Sequence, residues 1–184
     1  GGESWNKLLV AENMQLVCMY FLDSQTGYIG GVNYSANMFK TTDGGTSWQP
    51  TFLTESLTAY SISFINSSTG YFSSNLLDSS RVFKTTNGGL NWIKTLKLIN
   101  GWIGTLQFVN SSTGYVSGSD VLYPYYSFMY RTDDSGVNWS YIDLPASFAD
   151  LQFVSPDSAF GCSSSSIFFT SNSGNNWSML YHNS

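Results

Sequence analysis

A short Gly-rich turn that ends in tryptophan recurs along this chain of 184 residues and constrains its fold more than any other feature. The turn reads TTDGGTSW at 41–48, TTNGGLNW at 85–92, TDDSGVNW at 132–139 and TSNSGNNW at 170–177, and the chain opens with the tail of a fifth copy, GGESW. The tryptophans of these turns are 43, 44, 47 and 38 residues apart, at Trp5, Trp48, Trp92, Trp139 and Trp177. A period of this length predicts a propeller, a solenoid or an array.

A second shared segment precedes each Gly-rich turn. It reads FLDSQTGYIGG from residue 21, FINSSTGYFSS from 64, FVNSSTGYVSG from 108 and, more weakly, FVSPDSAFGCS from 153. Residues before it alternate between apolar and polar, as in a strand packed on one face, and residues after it read as a second strand. A variable loop, a third apolar stretch and a strand beginning at tryptophan complete the repeat. The sequence therefore predicts an all-β fold of four-stranded antiparallel blades, a β-propeller.

The repeats predict one propeller region over residues 1–184. Four complete blades are expected at 16–48, 60–95, 104–143 and 149–181, and residues 1–12 are expected to form the outer strand of a preceding blade. Because that leading strand has no blade of its own, we expect the chain to be a section of a ring of roughly seven or eight blades. The remaining blades would come from the same longer chain or from another copy.

Composition narrows the functional classes. The net charge of −5 and the seven scattered Lys and Arg residues leave no basic stripe for a run of phosphates, which excludes nucleic-acid binding. No apolar run approaches the length of a membrane helix, so we expect no membrane insertion. The one histidine, His182, supports no metal site, and no cofactor is expected. Cys18 and Cys162 permit one disulfide without requiring it.

The Thr-x-Asp-x-Gly-x-x-Trp pattern resembles the Asp-box, or bacterial neuraminidase repeat. Together with F-x-N-S-x-T-G-Y, it is most similar to the propellers of the photosystem II stability and assembly factor type, which also occur in bacterial secreted proteins. Asn87 and Asn172 stand in two boxes where the family has Asp, and an asparagine can still cap the turn.

The resemblance implies that the boxes are structural, with glycine supplying a positive φ, Thr and Asp or Asn satisfying turn donors, and tryptophan buried between blades. The box residues are Thr41, Asp43, Gly45, Trp48, Thr85, Asn87, Gly89, Trp92, Thr132, Asp134, Gly136, Trp139, Thr170, Asn172, Gly174 and Trp177.

Ligand contacts are expected at the opposite end of the blades, where the repeats differ. The third central loop, SDVLYPYYS, concentrates aromatic residues that suit either a glycan or a protein partner, although alternate residues of this run could instead cover the core. The candidate binding residues are Trp102, Tyr123, Tyr125, Tyr126, Phe128, Arg81 and Tyr34.

The alternative to a binding role is catalysis, because some proteins with Asp-boxes are enzymes. Sialidases need three arginines around the substrate carboxylate, whereas this chain has only Arg81 and Arg131. Xyloglucan-cleaving propellers use two opposed carboxylates, for which the candidates are Glu55, Asp78, Asp120 and Asp150.

We expect no catalytic residue, and a non-catalytic binding or scaffold module for a protein or carbohydrate. With only 10% charged residues, its surface is typical of β proteins outside the cell or on the cell surface.

Overall fold

The structure, a computed structural model, describes residues 15–32, 38–51, 57–120, 122 and 127–182. These ranges contain sixteen β-strands in four groups of four. Blade 1 comprises β1 (Gln15–Phe21), β2 (Gly27–Val32), β3 (Met38–Thr41) and β4 (Gln49–Thr51). Blade 2 comprises β5 (Ser61–Phe64), β6 (Gly70–Asn75), β7 (Ser79–Thr85) and β8 (Ile93–Ile99). Blade 3 comprises β9 (Gly101–Phe108), β10 (Gly114–Asp120), β11 (Ser127–Thr132) and β12 (Ser140–Asp143). Blade 4 comprises β13 (Asp150–Phe153), β14 (Ala159–Cys162), β15 (Ser166–Thr170) and β16 (Ser178–His182).

Each group forms one antiparallel sheet whose strands lie in chain order. The first strands of the four sheets, β1, β5, β9 and β13, lie beside one another in sequence order, so they form the inner side and the fourth strands form the periphery. The all-β prediction of four-stranded antiparallel blades is confirmed. The leading strand predicted at 1–12 lies outside the described residues, and the size of the complete ring stays a prediction.

The strands differ from the predicted blades at several boundaries. Blade 1 was predicted to end at Trp48, yet β4 follows that tryptophan, and every outer strand begins one residue after its tryptophan. Each tryptophan lies between the Gly-rich turn and the outer strand. In blade 3, β9 begins at Gly101 rather than at 104, after Asn100 has turned the chain with a φ of 56°.

The Gly-rich turns and the first hairpins lie together at one end of the blades, here called the box end. Backbone N–H groups of the turns donate to the hairpin carbonyls, as from Gly44 to Gln25 at 2.9 Å and from Gly88 to Ser68 at 2.8 Å. The opposite end, here called the connection end, holds the second hairpins and the links from blade to blade. This is the end at which the sequence predicted ligand contacts.

Within each box, the threonine hydroxyl accepts the N–H of the glycine four residues on, as Thr41 Oγ1 does from Gly45 at 2.9 Å. The carboxylate of Asp43 accepts the N–H of Ser47 at 2.9 Å. Asn87 Oδ1 takes the same bond from Asn91 at 2.9 Å, so the amide replaces the carboxylate without changing the turn. The box glycines have positive φ, at Gly45 (90°), Gly89 (90°), Gly136 (82°) and Gly174 (85°).

The two aspartate boxes should make the stability of the fold sensitive to acid. Hydrogen bonds from the Ser47 side chain and backbone lower the pKa of Asp43 to about 2, and bonds from Asn138 lower that of Asp134 to about 2. A carboxyl whose pKa is lower in the folded than in the unfolded state contributes stability above the unfolded pKa and loses it as the pH falls. We therefore expect the urea midpoint to fall between about pH 4, where unfolded aspartate titrates, and about pH 2.

The natural asparagine boxes supply the control for this prediction. A double variant, Asp43→Asn with Asp134→Asn, keeps the acceptor in each turn but removes the titrating group. Its urea midpoint should fall less over the same pH range than that of the original chain. Equal acid sensitivity in the two proteins would show that the box carboxylates do not contribute.

Adjacent blades meet through a stacked pair of aromatic rings. The tyrosine of the T-G-Y segment in one blade lies parallel to the phenylalanine that ends the inner strand of the next blade. Ring centroids are 3.9, 3.5 and 3.5 Å apart in the pairs Tyr28 and Phe64, Tyr71 and Phe108, and Tyr115 and Phe153. These stacks lie within the three buried clusters that join blades 1 to 2, 2 to 3 and 3 to 4.

Polar groups close the first two of these junctions at the box end, in an arrangement here called the latch. Tyr71 Oη donates to the carbonyl of Ser135 in the next blade at 2.9 Å, and Lys84 Nζ donates to the same oxygen at 2.9 Å. Tyr28 and Lys40 contact the carbonyl of Gly88 in the same way, each at 3.2 Å. Burial raises the pKa of Tyr28 and of Tyr71 to about 12, so both hydroxyls remain donors at neutral pH.

A further polar contact, here called the clasp, comes from the residue before each inner-strand phenylalanine. Gln107 donates from Nε2 to the carbonyl of Phe153 at 2.7 Å and accepts the N–H of Phe153 at 2.8 Å. Ser63 accepts the N–H of Phe108 at 3.0 Å in the preceding junction. These bonds satisfy backbone groups that would otherwise be buried without partners between the blades.

The box tryptophans are half-buried, whereas the sequence predicted them buried between blades. Each of the first three packs its ring edge against the inner-strand phenylalanine of its own blade, with centroids 6.1 Å apart in Phe21 and Trp48, Phe64 and Trp92, and Phe108 and Trp139. These tryptophans support the phenylalanine of their own blade, whereas the tyrosine of the preceding blade stacks on a phenylalanine across the junction. Cys18 and Cys162 are both free thiols.

Candidate functional site

A groove of about 360 Å³ opens at the connection end between blades 2 and 3. One side is the end of β8 with the link that follows it, and the other is formed by the outer strands of blade 3. Its lining includes Lys97, Leu98, Asp120, Phe128, Tyr130 and Tyr141. The groove therefore combines three aromatic rings with one amine and one carboxylate.

The strand register of blade 3 brings the three rings together. Phe128 and Tyr130 are two residues apart on β11, so they share a face, and Tyr130 pairs directly with Tyr141 on β12. The ring centroids of Phe128 and Tyr130 are 5.8 Å apart, and those of Tyr130 and Tyr141 are 5.5 Å apart, both edge to face. The result is a continuous aromatic row across the outer half of the blade.

Polar groups fix the orientation of the row at its rim. Tyr141 Oη donates to Asp143 Oδ1 at 2.7 Å, and this bond, with burial, raises the pKa of Tyr141 to about 12. Asp120 Oδ1 accepts the N–H of Leu122 at 2.7 Å, which turns the chain at the end of β10. Tyr141 remains 53% exposed, so its ring is open to a ligand while its hydroxyl is held.

This arrangement can bind an elongated molecule but offers no opposed acid and base. Among the described lining residues, Asp120 is the one carboxylate, whereas glycoside hydrolysis uses a pair on opposite sides of the bond. Asp78 accepts a hydrogen bond from the Ser79 hydroxyl at 2.9 Å, and Asp150 accepts one from the N–H of Leu151 at 2.9 Å. Each carboxylate therefore bonds within its own segment of chain. Glu55 lies outside the described residues.

Of the predicted binding residues, Phe128 lies in the groove. Trp102 is at the same end but packs edge to face on Tyr60, with ring centroids 5.0 Å apart, and is 42% exposed. Arg81 lies on β7, paired with Ser74, and is not among the described lining. Four others lie outside the described residues, namely Tyr34, Tyr123, Tyr125 and Tyr126.

Sequence reasoning missed Tyr130, Tyr141 and Lys97. The alternation of Phe128 with Tyr130 is visible in the sequence, but only the register shows that Tyr141 extends the row. Lys97 belongs to the neighbouring blade, and nothing in its local sequence indicates that β8 reaches the groove. Across the described ranges, no helix is long and apolar enough to cross a membrane, and no cluster of three or more His, Cys, Asp or Glu could hold a metal ion.

No protein-family model and no curated protein sequence matches the chain. Solved structures do match. YCF48 bound to a D1 peptide is 21% identical, with a TM-score of 0.70 over 96% of this chain and 56% of that chain. YCF48 from Cyanidioschyzon merolae is 14% identical, with a TM-score of 0.67 over 93% of this chain and 57% of that one.

A GH74 xyloglucanase from Xanthomonas campestris is 14% identical, with a TM-score of 0.68 over 86% of this chain and 28% of that chain. At these identities the likeness is one of fold. The chain is thus a β-propeller of the kind seen in the photosystem II assembly factor YCF48 and in GH74 enzymes, and it spans little more than half the length of the YCF48 chains.

Proposed function

We propose that the chain is a non-catalytic propeller module that binds an extended segment of a partner protein in the groove between blades 2 and 3. The observation that carries this proposal is the aromatic row of Phe128, Tyr130 and Tyr141, flanked by Lys97 and Asp120. Aromatic side chains with a polar end are enriched in protein interfaces, because they bury a large apolar area at a small cost in side-chain entropy.

The mixed charges of the groove favour a peptide over a neutral glycan. Lys97 places an ammonium beside the aromatic row, so an extended segment with an acidic side chain finds an opposite charge in the groove. A structurally similar propeller, YCF48, is seen bound to a D1 peptide, which supports the protein class of ligand. The similar GH74 propellers keep glycan cleavage as the alternative to be tested.

The test is a selection of random 12-residue peptides on the chain, followed by affinity measurement of the selected sequences. Replacing Tyr141 with alanine should weaken their binding about tenfold, a loss of about 1.4 kcal/mol. Tyr141→Phe should lose less, because the ring remains in the row. Ile93→Ala is the matched control, since this side chain is 71% exposed at the other end of β8.

The glycan arm uses xyloglucan and mixed β-glucans with reducing-end release as the readout. We expect no release. Release that disappears in Asp120→Asn would overturn the proposal in favour of a hydrolase. Peptide binding that is equal in Tyr141→Ala and the original chain would show that the groove is not the binding site.

A further inference from the structure

The aromatic row of the groove is fixed in position before any ligand binds. The ring of Phe128 lies against bare backbone, since a Cβ on Gly101 would be 3.3 Å from this ring and a Cβ on Gly118 would be 2.9 Å from it. Phe128, Tyr130 and Leu98 also pack against the buried cluster that joins blades 2 and 3. A site that is already ordered loses little conformational entropy on binding, so the groove is well suited to a stiff ligand.

Phe128 and Tyr141 form the two ends of this row. Their planes are tilted against that of Tyr130 by 65° and 73°, so each end ring offers a separate surface to a ligand. The two end rings are diagonal neighbours across β11 and β12, because Phe128 pairs with Asp143 and Tyr130 with Tyr141. Diagonal neighbours have Cα atoms about 7 to 8 Å apart. A peptide that lies across the row must therefore present two apolar groups at a similar separation.

The row offers a ligand few hydrogen-bond partners. It lies on the face of blade 3, and the backbone groups of Tyr130 and Tyr141 point along the sheet rather than out of it. The Tyr141 hydroxyl already donates to Asp143 at 2.7 Å. A strand laid over the rings would bury N–H and C=O groups without partners, at a cost of about 1 to 3 kcal/mol for each group. The row therefore favours a backbone with few N–H groups and with carbonyls that remain in water.

A proline-rich segment in the polyproline II conformation meets these requirements. Proline has no backbone N–H, its ring loses no rotamer freedom on burial, and this helix keeps its backbone groups in water. Each turn of three residues advances about 9 Å, so prolines three residues apart lie on one side of the helix and reach both ends of the row. An extended strand also spans the row, with residues two apart at about 7 Å. The hydrogen bonds, rather than the spacing, therefore distinguish the two kinds of ligand.

We propose that the ligand of the groove is a proline-rich segment in the polyproline II conformation, with prolines three residues apart packed on Phe128 and Tyr141. This inference rests on the function proposed above and narrows the partner to one class of peptide. Aromatic-lined grooves bind such segments in several unrelated kinds of domain, because the segment is already stiff before it binds. An acidic residue next to the prolines gains the attraction of Lys97.

The test compares three synthetic 12-residue peptides by fluorescence anisotropy. Each carries one aspartate, with alanine and serine as the filling residues. The first has a proline at every third position, the second has the same composition with a proline at every second position, and the third has alanine for every proline. We expect the first to bind at least about tenfold more tightly than the other two, because only its prolines share one side of the helix.

Variants of the chain locate the contact. Tyr141→Ala should weaken binding of the first peptide about tenfold and reduce its advantage over the second, since one of the two end rings is lost. Phe128→Leu keeps an apolar side chain against the buried cluster but removes the flat ring, and it should act in the same direction. Ile93→Ala, at the other end of β8, should leave the binding of all three peptides unchanged. Thermal unfolding of each variant verifies that the propeller is intact.

Failure of this inference differs from failure of the proposed function. Peptides selected from the random pool that lack proline, yet depend on Tyr141, would overturn the inference and leave the groove a peptide site. Equal binding of the first two peptides would also overturn it. Tightest binding of the alanine peptide would indicate strand addition to the outer edge of β8, because each proline removes an N–H from such a ladder. If no selected or designed peptide responds to Tyr141→Ala, the proposed function fails as well.

Discussion

Replacing Phe108 with alanine should lower the free energy of unfolding by about 3 to 5 kcal/mol. The ring of Phe108 is 8% exposed, stacks on Tyr71 of the preceding blade at 3.5 Å and supports Trp139 at 6.1 Å. Its loss leaves a cavity at the junction of blades 2 and 3, where both partners keep their positions because each is fixed by its own strand. Guanidinium denaturation followed by tryptophan fluorescence measures the change.

Phe21→Ala is the matched control, because it removes the same side chain from the same position of a blade. The ring of Phe21 is 41% exposed, so its removal should cost clearly less. The measurement belongs at the lowest practicable protein concentration, where association between copies does not contribute. Equal losses in the two variants would mean that the stack across the junction adds no stability.

Replacing Asn75 with alanine should lower the free energy of unfolding by about 1 to 3 kcal/mol, since it removes the side-chain donor from the buried carbonyl of Ile103, whereas the N–H of Ile103 keeps a bond to Ser80 Oγ at 3.2 Å. Asn75 Nδ2 donates to the carbonyl of Ile103 at 2.9 Å, and Asn75 Oδ1 accepts the N–H of the same residue at 3.0 Å. The side chain is 6% exposed, so water cannot replace it readily. Gln152→Ala, which removes an exposed amide, should change little.

Asn75→Asp sharpens this prediction through its pH dependence. The carboxylate would keep the bond from the N–H of Ile103 but would face the carbonyl oxygen of Ile103 in a buried site. Desolvation then raises the pKa of the new side chain, and its protonated form can donate to that carbonyl. The deficit of this variant relative to the original chain should therefore shrink as the pH falls from 7 to about 5. A deficit that is independent of pH would argue against a direct bond to the carbonyl.

The sequence alone was sufficient for the architecture. The four tryptophan turns give the period, and the alternation around F-x-N-S-x-T-G-Y gives the strands, because both depend on local chemistry that repeats. The roles of the box residues Thr41 and Asp43 could also be predicted, since the turn is closed by groups within five residues of one another.

The different packing roles of the tryptophans and the tyrosines could not be predicted in the same way. Both are large aromatic residues at fixed places in every repeat, and only the packing shows that Tyr28, Tyr71 and Tyr115 cross the junction. The glycine before each tyrosine is explained at the same time. A Cβ on Gly114 would lie 2.6 Å from the ring of Phe108, so the ring lies flat on bare backbone.

The groove was the part of the candidate site that the sequence predicted least well. Its lining comes from two blades, and two of its three aromatic rings meet through the register of Tyr130 with Tyr141 across a turn. Neither fact has a local signature. The cluster of tyrosines after Ser119 pointed to the blade and the end that carry this groove, where Phe128 begins the row, but the open surface depends on how far β8 extends in the neighbouring blade.

The stacked junction has a consequence for how such a chain can change its length. Blades 1 to 3 each carry a tyrosine for the following blade, and blades 2 to 4 each carry a phenylalanine for the preceding one, so a stretch of one full period within this part contains both members wherever it is cut. Duplicating or deleting a whole period therefore leaves each internal tyrosine opposite a phenylalanine, and no compensating substitution is needed. A gain or loss of part of a period separates the members and exposes an aromatic face. Recombination between repeats can thus alter the number of blades in single steps.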